Sequence, residues 1–278
     1  MNKVYNTVWN ESIGMWVVTS ELTRKGGQRP RQIRRTVLAG LVAGLLLPSA
    51  PTLATAWDSV TLGSGGTSGS MTLNAGDTAN NTTINSGGQQ YVSSGGSATS
   101  TTINGGWQSV YNSGSATSTT INDGWQNVYN SGSATSTTIN GGWQNVYNSG
   151  SATSTTINSA GGQAVYSGGS ATSTTINGGL QVVSSGGSAT STTINSGGRQ
   201  HVSGGGSATS TTINGGLQVV SSGGSATSTT INSDGGQDVN DGGSATSTTI
   251  NGGGGQSVSR DGSATSTTIN GGRQNVYK

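Results

Sequence analysis

The chain has 278 residues, of which 28% are hydrophobic and 7% charged, with 50 glycines and no cysteine. So little apolar material excludes an ordinary globular core, and the lack of cysteine excludes disulfides and thiolate metal sites. The formal charge of +2 is unevenly placed: residues 1–56 carry seven Lys/Arg and two Glu, while from Trp57 onward four Lys/Arg stand against seven Asp. The basic balance therefore belongs to the leading segment and is no footprint for nucleic acid.

Residues 1–56 read as a long export leader. Thr36 to Leu47 is an apolar run behind Arg29, Arg31, Arg34 and Arg35. It is too short to span a bilayer as a helix, and small residues follow it, ending in Ala54-Thr55-Ala56. That is the pattern of a secretory signal peptide, with an extended region at 1–27, a basic and apolar core at 28–47 and cleavage after Ala54 or Ala56. Residues 57–76 carry two imperfect strand pairs, Val60/Leu62 and Met71/Leu73, between glycine turns, and read as an N-terminal cap.

Residues 77–278 are a repeat array. Ser-Ala-Thr-Ser-Thr-Thr-Ile-Asn begins at Ser97 and recurs unchanged at Ser115, Ser133, Ser151, Ser170, Ser188, Ser207, Ser225, Ser244 and Ser263, in steps of 18 or 19 residues. Gln-x-Val follows in every copy, from Val92 to Val276. Such a composition would otherwise suggest disorder, but fixed β-branched Ile and Val at a short period specify stacked strands. The fold expected is all-β: a parallel β-helix of about eleven rungs, right-handed, with a flattened two-sheet solenoid as the near alternative. Two or three strands per rung fit the period equally.

Strand parity places Ile103, Thr101 and Thr99 on one side. Ala98 has the opposite parity, so a corner must intervene if Ala98 and Ile103 both point inward. Stacking in register would align Asn104, Asn122 and Asn140 in one amide ladder and Gln108, Gln126 and Gln144 in another.

Two stretches resemble a known family. The leader residues Met1-Asn2-Lys3, Tyr5, Trp9-Asn10, Trp16-Val17-Val18, Ser20-Glu21 and Lys25-Gly26-Gly27 resemble the extended signal peptide region of Gram-negative autotransporters. The repeat Asn85 to Asn104 resembles those of the AIDA-type self-associating autotransporter adhesins. The resemblance implies export through the Sec translocon and the periplasm of a Gram-negative bacterium, with a passenger at the outer membrane surface or secreted. It implies cell adhesion to a host-cell surface or glycan, self-association between passengers in autoaggregation, and biofilm formation. It also implies O-linked heptose on passenger serines, added by a cytoplasmic autotransporter heptosyltransferase. The serines matching the repeat are Ser97, Ser115, Ser133, Ser151, Ser170, Ser188, Ser207, Ser225, Ser244 and Ser263. Family members end in a translocator β-barrel, whose alternating, aromatic-girdled segments are not found here. A truncated passenger is the expectation that follows.

Nothing in residues 57–278 assembles catalysis. There is one His (His201), no Glu, and the Asp residues fall mainly in turns, so no enzyme, cofactor or metal is expected. One patch stands apart: Trp107, Trp125 and Trp143 hold the same place in three consecutive rungs, each followed by Tyr111, Tyr129 or Tyr147. The site elsewhere holds Gln89, Leu180, Arg199, Leu217 or Arg273, so the fold does not require Trp. These six aromatics form either an exposed stripe for glycan or partner contact or a stacking ladder that steadies the rod. A second functional class, an ice-binding face built on Thr99-Ser100-Thr101, competes with the adhesin. A pectate-lyase-like enzyme ranks third, lacking the acidic and basic cluster it would need.

Overall fold

The computed structural model describes Tyr5–Asn10, Met15–Ser20 and residues 53–278. The two leader strands pair antiparallel, with Trp9 opposite Trp16 and their rings edge to face at 5.6 Å. The basic and apolar stretch of the leader lies outside the described residues. The chain divides into two units, Met1–Thr52 and Leu53–Lys278.

Residues 53–278 wind into a parallel β-solenoid. Each rung contributes three strand segments. The Ser-Ala-Thr segments, Ala56–Asp58 through Ser263–Thr265, stack as a 12-stranded sheet. The Thr-Ile-Asn and Gln-x-Val segments stack beside it, fused into single strands at Thr102–Val110, Thr120–Val128, Thr138–Val146 and Thr156–Val165. There are thus twelve rungs, one more than the repeat count suggested. The extra one is the stretch expected to be a cap: Ala56–Asp58, Thr61–Leu62 and Ser70–Leu73 form a whole turn paired to the next. Twelve rungs at about 4.8 Å make a rod of about 53 Å.

The corner required by the parity of Ala98 and Ile103 is present. Ser100 takes φ of 56°, and serines at the same place in the other nine octamers do likewise, from Ser118 to Ser266. This left-handed residue turns the chain so that Ala98 and Ile103 both reach the interior, at 1% and 0% exposure. It also corrects the expected grouping of threonines: Thr101 points inward and is buried, whereas Thr99, before the corner, faces outward and is half-buried.

The interior has three columns. Isoleucines, Ile84 to Ile250, run down one side, and Val with Ala run down the other. Between them lies a polar spine of Gln and Thr. Gln126 Nε2 donates to Gln108 Oε1 at 2.6 Å and to Thr119 Oγ1 at 3.1 Å, and its own Oε1 accepts from Gln144 Nε2 and Thr137 Oγ1. Burying amides demands such pairing, and no buried side-chain polar atom among the described residues lacks a partner. The spine ends in the first turn, where Val60 and Met71 replace Thr and Gln and Gln90 Nε2 meets Met71 Sδ at 3.6 Å.

The turn after Gln-x-Val brings the chain against the rung before it. A Cβ on Gly114 would stand 2.2 Å from the Val92 carbonyl oxygen, so only glycine passes there. The outer Asn ladder also forms, Asn122 Nδ2 donating to Asn104 Oδ1 at 2.9 Å and Asn140 to Asn122 at 2.9 Å.

Candidate functional site

Two outward surfaces carry the candidate residues. The first is the Ser-Ala-Thr sheet. Strand alternation turns Ser97 and Thr99 outward and Ala98 inward. The ten candidate serines pair rung to rung, Ser97 with Ser115, Ser115 with Ser133 and onward to Ser263, in one column. They are half-buried apart from Ser263, which is exposed.

A second hydroxyl column, not singled out from the sequence, lies three residues on. Ser100, Ser118, Ser136, Ser154, Ser173, Ser191, Ser210, Ser228, Ser247 and Ser266 are all exposed at the left-handed corner. Left-handed backbone costs a non-glycine residue about 1–2 kcal/mol. At the turn after Gln-x-Val the same requirement is met by Asn112, Gly204, Asp241 or Arg260 as the copies drift. The octamer corner holds Ser in every copy. The signal available in the sequence was the parity conflict between Ala98 and Ile103, which located the corner but not the exposure of its hydroxyl.

The second surface is the outer face of the Gln-x-Val strands. Trp107, Trp125 and Trp143 are in register down the rod. Trp125 is 49% exposed, while Trp107 and Trp143 are half-buried. The next rung has Gly162 at this site, and a Cβ there would lie 2.7 Å from the Trp143 ring. The Trp143 ring therefore rests over Gly162. Beyond it a trough of about 530 Å³ is lined by Trp143, Leu180, Arg199, His201 and Val219.

The tyrosines form a column of their own. Tyr111, Tyr129 and Tyr147 stack with centroids 5.2 and 5.1 Å apart and planes within 8°. Tyr166 extends the stack at 5.1 Å, a fourth member absent from the six aromatics picked out by sequence. Burial foremost, and then the neighbouring phenols, push the Tyr129 and Tyr147 hydroxyls above the ordinary value. The tyrosines stack as a ladder, and Trp125 is the most exposed of the six aromatics.

Asp234, Asp241 and Asp261 occupy left-handed turn positions, and Asp58 accepts from Asn81 Nδ2 at 3.0 Å. The ice-binding reading loses its basis, since Thr101 is 1% exposed and bonded into the spine.

A leader, a polar-spined solenoid and outward hydroxyl columns together define an exported repeat passenger. Residues 1–50 match the family described as the extended signal peptide of type V secretion systems, and residues 58–106 match the adhesin of the bacterial autotransporter system, a probable stalk. The autotransporter CRAC of Citrobacter rodentium (strain ICC168) is 68% identical over 93 residues, 34% of this chain and 6% of that protein. The autotransporter adhesin/invasin TibA of Escherichia coli O78:H11 (strain H10407 / ETEC) is 67% identical over 92 residues, 33% of this chain and 9% of that protein. The crystal structure of a TibA fragment hyper-glycosylated by TibC is 49% identical, with a TM-score of 0.59, covering 81% of this chain and 97% of the fragment. The chain belongs to the AIDA-type autotransporter adhesins. It is exported, to the Gram-negative cell surface or beyond it. The matches reach only a small part of the length of the two curated relatives.

Proposed function

We propose that residues 57–278 act, without catalysis, as the stalk-like passenger of an adhesin, supporting cell adhesion, autoaggregation and biofilm formation after O-heptosylation. The observation that carries this reading is the pair of outward hydroxyl columns, repeated on every octamer, in a chain that spans 97% of a hyper-glycosylated relative's fragment. A cytoplasmic heptosyltransferase of the TibC kind would modify the chain before export through the Sec translocon. Sugars placed on the unfolded chain must then be tolerated by the folded rung, and outward hydroxyls allow that. The Ser97 column and the Ser100 column are both open to it.

The test is intact mass with site mapping of the exported chain, co-expressed with and without such an enzyme. Heptose increments on octamer serines are expected. An unmodified chain from cells with an active enzyme would overturn the reading. The Trp107, Trp125 and Trp143 stripe and its trough are the proposed contact for a host glycan. Changing all three to Gln should reduce cell binding, and undiminished binding would remove the stripe from the function.

A further inference from the structure

The first two turns share a departure from the other ten. In ten later rungs the residue before Ser-Ala-Thr is glycine, from Gly96 to Gly262, because the preceding rung's backbone lies against it. The amide of this glycine donates to the carbonyl three residues back, as Gly96 to Ser93 at 2.8 Å and Gly114 to Tyr111 at 2.9 Å. The equivalent residue in the second turn is Asp77, and in the first it is Thr55: Thr78 pairs with Ala56, and Thr78 N donates to the Thr55 carbonyl at 2.9 Å. Thr55 N donates to Asp77 Oδ1 at 2.8 Å, while Asp77 Oδ2 accepts from Asn74 N at 2.9 Å. The Asp77 carboxylate thus ties the amide that enters the first turn to the loop of the second.

We propose that the leader is cut after Ala54, and that the new α-ammonium of Thr55 forms an ion pair with Asp77 that closes the first turn. Hydrolysis of the Ala54–Thr55 bond consumes one water and leaves a carboxylate on Ala54 and an ammonium on Thr55. The nitrogen already faces Asp77, so the cut adds a positive charge where a carboxylate stands ready. The other bond consistent with the small-residue pattern, after Ala56, would remove the Thr55 carbonyl and the Ala56 pairing, and would leave Asp77 Oδ1 without its donor. A signal peptidase acts on an extended chain, so the fold does not choose the bond. It identifies the residues the mature turn employs.

The chain with its own leader is exported and its first residues are sequenced. Thr55 is expected; a start at Trp57 or elsewhere overturns the assignment. Residues 55–278 then hold two amines, the α-amine of Thr55 and Lys278. Each is followed under an amine-acylating reagent at neutral pH, with Lys278 as internal reference. Asp77→Asn removes the charge and keeps one of the two acceptor oxygens; Asn74 is exposed and its N–H can turn to water, so the turn stays folded. Loss of a neighbouring opposite charge should raise the relative acylation rate of Thr55 by roughly threefold or more. An unchanged ratio would sink the ion pair even if the chain begins at Thr55.

Discussion

Replacing Gln126 by leucine tests the polar spine. The side chain makes four hydrogen bonds, two as donor through Nε2 and two as acceptor through Oε1. After the change Gln108 Oε1 still accepts from Thr119 Oγ1 at 3.3 Å, and Gln144 Nε2 still donates to Thr137 Oγ1 at 3.1 Å. Two buried hydrogens lose their acceptor, one on Gln144 Nε2 and one on Thr137 Oγ1. An orphaned buried donor costs about 1–3 kcal/mol, so the loss is about 2–6 kcal/mol. Leucine's apolar burial offsets part of this, leaving a net destabilisation of about 2–4 kcal/mol. In a stacked array the loss falls on the rung and its neighbours. Trp107, Trp125 and Trp143 lie on those rungs, so guanidinium unfolding followed by tryptophan fluorescence reads the relevant region. Gln274→Leu is the control. Gln274 is half-buried and only donates, to Gln256 Oε1, which still accepts from Thr267 Oγ1, and to the half-buried Thr267, so no buried donor is orphaned and the cost there should stay below about 1 kcal/mol. A Gln126→Leu midpoint equal to wild type, or equal losses at the two positions, would refute the reasoning.

Two further outcomes follow from the aromatic face. Gly162→Ala places a Cβ 2.7 Å from the Trp143 ring, which must lift away; faster acrylamide quenching is expected, and unchanged quenching would show that the ring does not rest there. The Tyr129 and Tyr147 phenols are held protonated above the usual value of 10.0. The unfolded chain releases these protons near pH 10 and the folded chain later, so stability falls as pH rises from about 10 through the raised values. A Tyr129→Phe, Tyr147→Phe variant should lose the late part of the spectrophotometric titration and less stability over that window; a titration with no late part in wild type would count against the ladder.

Much of the rod was legible because its period is carried by identical octamers. The clash of parity between Ala98 and Ile103 even required the Ser100 corner. The same corner explains what was misread: Thr99 and Thr101 are two apart in sequence but on opposite sides of the sheet, since Ser100 reverses the alternation between them. The first turn was hidden because Ala56-Trp57-Asp58 stands where later turns have Ser-Ala-Thr, and Met71 and Leu73 stand for Gln and Val. Its divergence has a physical reason, since an end turn must stop the amide spine with apolar groups. Tyr166 escaped notice because its rung has Gly162 where a Trp would have marked the copy. The modified serines are a different matter. Periodicity lays out the hydroxyls, while the choice among columns belongs to an enzyme's specificity.

The variation between 18- and 19-residue rungs has a further consequence. From Gln to the next Ile the count is thirteen both at Gln108–Ile121 and at Gln163–Ile176, whereas Ile to Gln is five residues at Ile103–Gln108 and six at Ile157–Gln163. All the slack lies at the Asn-Gly corner, outside the columns that hold the interior together. A copy gained or lost would therefore add or remove a whole turn of about 4.8 Å while every Ile, Gln and Val finds its like. The length of the array thus follows copy number, with no new packing problem to solve.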